Sequence, residues 1–182
     1  MSMIVAVLGA RERSSVKRPG AVEMSEDERK KISTIDKPLV DLVLTSLITK
    51  FGDTLSIVSY GCDDGVGLLV KDRCTNEKEP IQFAEVIWYF HGDSRSKMAY
   101  QKFYVARNAC VAEIADMFVL LVNHRRQSML EDLIRRLDDM AVGPNVEIRP
   151  FICIDETNKV VRTNMKNIEL YLPIDDQKRV II

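Results

Sequence analysis

Residues 55–74 read LSIVSYGCDDGVGLLVKDRC: a short apolar run, a glycine-rich turn, and a mixed apolar and charged run without a helix breaker after Gly67. The whole chain has eight glycines, and three of them, Gly61, Gly65 and Gly67, fall within the seven positions 61–67. So dense a cluster marks a backbone that needs positive φ or close approach, which other residues supply only at a cost. The spacing predicts a strand over 55–58, a tight turn, and a helix over 66–74. A strand passing through a glycine turn directly into a helix is half of a βαβ unit.

The pattern repeats outward from this stretch. Residues 3–8 form a continuous apolar run ended by Gly9, the mark of a buried central strand. Leu39, Val40, Val43, Leu44, Leu47 and Ile48 share one face of a helix expected over 36–51, with Gly52 as its stop. Toward the C-terminus, strands are expected over 83–89, 117–122 and 146–152, with helices over 103–115 and 129–140. Alternating strands and helices of this length imply right-handed crossovers and a parallel sheet covered on both faces. The expected fold class is therefore α/β: a Rossmann-like three-layer sandwich with a mainly parallel sheet of about five strands plus a strand-rich C-terminal tail.

Residues 1–152 are expected to form this domain, and residues 153–182 an extension, either an edge hairpin or an oligomerisation arm. Its strand-like pieces are 159–162 and 168–172. Residues 11–37 are charged and long for a βα connection, and read as an insertion or lid. Within it, Ser25 and Glu28 fit either a capped short helix or a solvated loop.

A length of 182 residues suits one domain, and 46% hydrophobic residues are enough for a full core. The 26 basic and 27 acidic residues leave no net field to attract nucleic acid or an anionic membrane. Any anion site must be local. Cys62, Cys74, Cys110 and Cys153 are widely spaced with no CxxC pair, which argues against zinc and a disulfide framework and for a reducing compartment. No apolar run approaches membrane-spanning length, and residues 1–8 are too short for a signal sequence, so a cytoplasmic protein is expected, with no metal and no cofactor.

In an open parallel sheet, ligands sit outside the carboxyl ends of the strands, where helix N-termini aim free amides. Gly61, Gly65 and Gly67 lie at such an end and suit a phosphate or ribose cradle; a tight turn with no ligand is the plainer alternative. Asp63 and Asp64 either cap the following helix or hold a ribose hydroxyl pair. Gly9-Ala10-Arg11 ends the first strand, and Arg107-Asn108 sits on a helix between the small residues Ala106 and Ala109. The spacing GxxxGxG is neither the dinucleotide fingerprint nor a P-loop, which disfavours P-loop NTP hydrolysis. His91 and His124 are lone histidines in expected loops, and Tyr100, Phe103 and Tyr104 read as core or dimer contacts.

Taken in order, Val7-Leu8-Gly9-Ala10-Arg11, Tyr60-Gly61-Cys62-Asp63-Asp64-Gly65-Val66-Gly67, and Ala106-Arg107-Asn108 followed by the segment 114–120 (IADMFVL) resemble the SLOG superfamily, most closely its small YspA-type members. The resemblance covers about residues 3–152. It implies a Rossmannoid domain, usually a dimer or tetramer, that binds nucleotides or NAD-derived ligands as a sensor or cleaves N-glycosidic bonds. The ligand-binding candidates are then Gly9, Ala10, Arg11, Gly61, Asp63, Asp64, Gly65, Arg107, Asn108 and Asn123. The related Lonely Guy phosphoribohydrolases carry an arginine before the fourth strand and a PGGxGTxxE loop after it. Arg107 falls at the arginine, and Ser128 and Glu131 fall at the threonine and glutamate, but the stretch 123–131 (NHRRQSMLE) lacks the proline and every glycine.

As an N-glycosidase acting on a nucleoside monophosphate, the chain would use Arg107 to hold phosphate and Glu131 to stabilise a ribosyl cation. Ser128 and Glu131 also make a capping box, which explains Glu131 without chemistry. The superfamily includes the DNA-processing protein A type as well, so a nucleic-acid surface is a third alternative, built from Arg125-Arg126, Arg135-Arg136 and Trp88-Tyr89.

Overall fold

In strand order the sheet runs β3-β2-β1-β4-β5-β6. The elements are β1 (Met3–Gly9), α1 (Glu26–Phe51), β2 (Leu55–Tyr60), α2 (Gly65–Cys74), β3 (Gln82–Val86), α3 (Lys97–Ile114), β4 (Met117–Leu121), α4 (Ser128–Val142), β5 (Phe151–Ile154) and β6 (Val160–Thr163). This computed structural model describes residues 2–9, 26–60, 65–76, 81–87, 97–122, 128–142, 148–155 and 157–181, with the backbone alone at 26–36, 97, 99, 100, 128 and 129. The five strands β1 to β5 pair in parallel, and β6 joins β5 antiparallel. The protein is an α/β sandwich with a Rossmann-like strand order.

The period-two alternation of β1 divides the core. Val5 and Val7 pack with Leu39, Val43, Leu44 and Leu47 of α1 and Val66 and Val70 of α2. Ala6 and Leu8 face the other way, toward Val111 of α3 and Leu130, Leu133 and Leu137 of α4. Asp116 ties the start of β4 to β1: its Oδ2 accepts the Ile4 amide at 2.8 Å, and its own amide donates to the Ile4 carbonyl at 2.8 Å. Among the described residues no helix is long and apolar enough to cross a membrane, and no group of three or more His, Cys, Asp or Glu side chains could hold a metal ion.

Four expectations need correction. Helix α1 begins at Glu26, so the second half of the stretch read as an insertion is helical and continuous with the amphipathic part. Pro38 lies inside it, where the missing amide removes one backbone bond; Glu26, Glu28, Arg29, Lys30 and Lys31 at its start are good helix formers whose charge reads equally as a solvated loop. Strand β3 ends at Val86, and Ile87 beyond it is exposed. Strand β5 starts only at Phe151, since Pro150 cannot donate to a ladder, and Ile148, counted as strand, is 65% exposed. It runs to Ile154, across the boundary expected at residue 152. Finally, residues 168–172 are not a strand: Ile168–Leu170 form a 3-10 turn, and the buried pair Ile168 and Leu172 has helical rather than alternating spacing.

The tail after β5 is built from two copies of one turn. Asp155 Oδ1 accepts the amides of Thr157 and Lys159 at 2.8 and 3.0 Å, and Asp175 Oδ1 accepts those of Gln177 and Arg179 at 2.9 and 2.8 Å. Each turn places a non-glycine residue at positive φ, Asn158 at 61° and Lys178 at 59°. The turns then dock on each other, the Val160 amide donating to Lys178 and the Val180 amide to Asn158, both at 2.8 Å. The same tail returns Ile168, Leu172 and Val180 to the α1 side of the core and sets Tyr171 against Phe51, ring centroids 6.2 Å apart.

Candidate functional site

The chain reverses direction across the sheet between β1 and β4, since β1 leads outward through β2 to β3 while β4 and β5 lie on its other side. In open α/β sheets such a reversal opens a crevice at the carboxyl ends of the two strands. Gly9 is the last residue of β1. A Cβ placed there would stand 2.3 Å from Val66 Cγ2 and 2.4 Å from Val66 Cβ, so the first turn of α2 sits directly on the end of the strand. Gly65, the first residue of α2, has φ of +67°, a conformation glycine adopts without steric cost. The two glycines thus bring the N-terminus of a ten-residue helix against the crevice.

One strand further out, β2 ends at Tyr60, and its buried ring carries the guanidinium of Arg107, with Cζ 3.5 Å from the ring centroid. Tyr104 and Phe103 flank the same cation at 5.1 and 5.8 Å. Arg107 is only 4% exposed, so a helix arginine that ordinarily snorkels to water is instead held among three rings. The neighbouring Asn108 is fully buried. Its Oδ1 accepts the Tyr60 hydroxyl at 2.6 Å, and its Nδ2 donates to Asp132 Oδ2 of α4 at 3.4 Å. Asp132 also accepts from Arg135 at 3.1 Å and Arg136 at 3.0 Å.

Burial works to raise the Asp132 carboxyl, but the hydrogen bonds from Arg136, Arg135 and Asn108 outweigh it and hold the group below its usual range. A folded-state value below the unfolded one stabilises the fold above the unfolded value and is lost as pH falls through the folded one. Asp132→Asn should therefore cost roughly 1 kcal/mol at neutral pH. The gap to the unaltered protein should close on acidification below about pH 4. Urea unfolding at pH 7, 5 and 3 measures this, and a gap that persists unchanged at pH 3 would refute it.

The other candidates divide clearly. Glu131 lies on the exposed side of α4 and pairs with Arg162 of β6 at 3.4 Å, beside the Arg162–Asp138 pair. The Arg107 guanidinium rests on Tyr60 of β2 while the Glu131 carboxylate pairs with Arg162 of β6, so the charged ends of these two are turned to different strands. One residue along, just past the first turn of α4, Asp132 is the carboxylate that reaches α3. Ala10, Arg11, Gly61, Asp63, Asp64 and Asn123 lie outside the described residues, as do Arg125, Arg126, Trp88 and Tyr89. Arg135 and Arg136, the described part of the expected basic patch, both spend charge on Asp132. Burial pushes the Cys74 and Cys153 thiols up to about 12, so both stay protonated and unreactive at neutral pH.

Tyr60 and Asp132 were missed in the sequence reading. The signal for Asp132 was present, because Arg135 and Arg136 stand three and four residues on, the spacing of helix ion pairs. Nothing local marked Tyr60 beyond its place immediately before the glycine turn. Comparison with family models, with curated proteins and with solved structures returns no match for this chain.

Proposed function

We propose that the protein binds a nucleotide or nucleotide derivative at the carboxyl edge of its sheet, as a binding or sensing module. The observation that carries this reading is the strand reversal between β1 and β4, with the head of α2 drawn against it by Gly9 and Gly65. A helix N-terminus there offers free amides and partial positive charge to a phosphate. Arg107 of α3, resting on Tyr60 at the end of the adjoining strand β2, supplies a permanent cation toward the same edge. The resemblance to the SLOG superfamily supports the same ligand class.

Binding is favoured over N-glycosidic cleavage because the carboxylate expected to stabilise a ribosyl cation, Glu131, is engaged by Arg162 of β6, away from the strand on which Arg107 rests. Titration calorimetry with AMP, NAD, ADP-ribose and cyclic AMP tests the reading, with chromatography of each mixture afterwards. At least one compound should bind saturably and be recovered intact. Arg107→Ala should weaken that binding by about tenfold to a hundredfold, the range of a lost charged hydrogen bond. Heat from none of the compounds would remove the reading. Release of a free base would replace it with the glycosidase.

A further inference from the structure

We infer that Asn108 and Asp132 are positioning residues for the Arg107 guanidinium, acting through the ring of Tyr60. The inference rests on the reading of Arg107 as the anion contact and adds what fixes its orientation. A guanidinium stacked 3.5 Å above a phenol takes its plane from the ring, so whatever fixes the ring fixes the cation. The ring is fixed at its far end, where the Tyr60 hydroxyl donates to Asn108 Oδ1 at 2.6 Å within the core.

The direction of that bond is set one step further away. An asparagine amide can turn over, exchanging donor for acceptor, unless its surroundings distinguish the two ends. Asp132 does so: its carboxylate Oδ2 lies 3.4 Å from Asn108 Nδ2, and a turned-over amide would set an acceptor against it. The carboxylate is in turn held by Arg135 and Arg136 from the next turn of α4. A hydroxyl that donates outward also leaves its phenol more electron-rich, which deepens the negative face beneath the guanidinium. The chain of contacts runs from α4 through α3 to β2 and back to α3. Each link has a donor, an acceptor or a π face that specifies its neighbour.

Polarity makes the arrangement testable. Asn108→Asp keeps an acceptor for Tyr60 but sets two carboxylates face to face. Adding Asp132→Asn restores one amide and one carboxylate with the roles exchanged, so the double variant should recover what the single loses. The readout is the Arg107 side chain itself, by NMR of protein labelled with 15N-arginine and assigned by the signal that disappears in Arg107→Lys. In the unaltered protein the Arg107 signal should be displaced upfield by the Tyr60 ring and show slow rotation of the guanidinium. Asn108→Asp and Tyr60→Phe should each speed that rotation at least fivefold, and the Asn108→Asp, Asp132→Asn pair should return it to within twofold of the original.

An Arg107 signal unchanged in Tyr60→Phe, or not restored in the pair, overturns the inference. If Asn108→Asp does not fold, Tyr60→Phe, which removes a single oxygen, carries the test. AMP titration of the same proteins forms a second arm, in which affinity should follow the rotation rate. Should the unaltered protein bind no AMP, the proposed ligand class loses support while the arginine signals still decide the positioning chain.

Discussion

Gly9→Ala is expected to destabilise the protein by about 3 kcal/mol, the upper part of the range for overpacking a filled core. The added methyl would lie 2.3 Å from Val66 Cγ2 and 2.4 Å from Val66 Cβ, far inside contact distance. Neither side has an easy retreat. Gly9 is paired with Leu121 at the end of a strand flanked by β2 and β4, and Val66 is 1% exposed in the first turn of α2. A β-branched side chain on a helix has one good rotamer, so Val66 cannot swing aside.

Compensation discriminates between steric and other causes. Val66→Ala leaves the offending Cβ in place and should recover little of the loss. Val66→Gly removes it at the cost of its own buried side chain, so the two changes together should cost clearly less than the sum of each alone. Urea unfolding of the unaltered protein, the three single variants and the two double variants gives the coupling. A loss under about 1 kcal/mol for Gly9→Ala would mean that α2 slides along the strand, and that its head is not held at the crevice.

Arg149→Leu is the second large effect, at about 2 kcal/mol, as expected for a charged group that satisfies several acceptors, two of them part-buried. Its Nη1 donates to the carbonyls of Ala112, Glu113 and Ala115 at 2.7, 3.1 and 2.5 Å, closing the C-terminus of α3. Helix ends leave such carbonyls without intrahelical partners and carry partial negative charge, so a guanidinium satisfies both needs at once. The substitution should also raise amide hydrogen exchange in the last turn of α3 well before the sheet exchanges. Arg149→Lys, with the charge kept and the planar fork lost, should fall between the two. Equal exchange rates in the leucine variant and the unaltered protein would show the helix end to be held by other groups.

Much of the fold is written locally. The apolar run before Gly9 and the face from Leu39 to Ile48 are local signals that correspond to β1 and α1, and the glycines at 65 and 67 open α2. The start of α1 carries no long apolar stripe in the sequence, only Ile32 and Ile35 among charged and polar residues, so periodicity does not reveal it. Residues 168–172 misled for a related reason: five residues of alternating polarity also fit a short turn that buries only its two ends. The site was less legible than the fold. Arg107 drew attention through its small neighbours, yet the ring it rests on comes from residue 60 and the carboxylate behind it from residue 132. Glu131 and Asp132 differ by one position, which on a helix is about 100° of rotation, enough to send one to β6 and the other to α3.

The paired turns of the tail have a bearing on how the chain is made. β5 has its parallel neighbour β4 on one side only, and its other rim is closed by β6, whose own first residues are closed by 178–180. All of that closure comes from residues that follow β5 in the chain. Until β6 has left the ribosome, β5 presents an unpaired row of amides and carbonyls beside a buried apolar core, the form of surface that recruits strands from other molecules. A product stalled or clipped before β6 therefore changes less in what it can bind than in whom it sticks to.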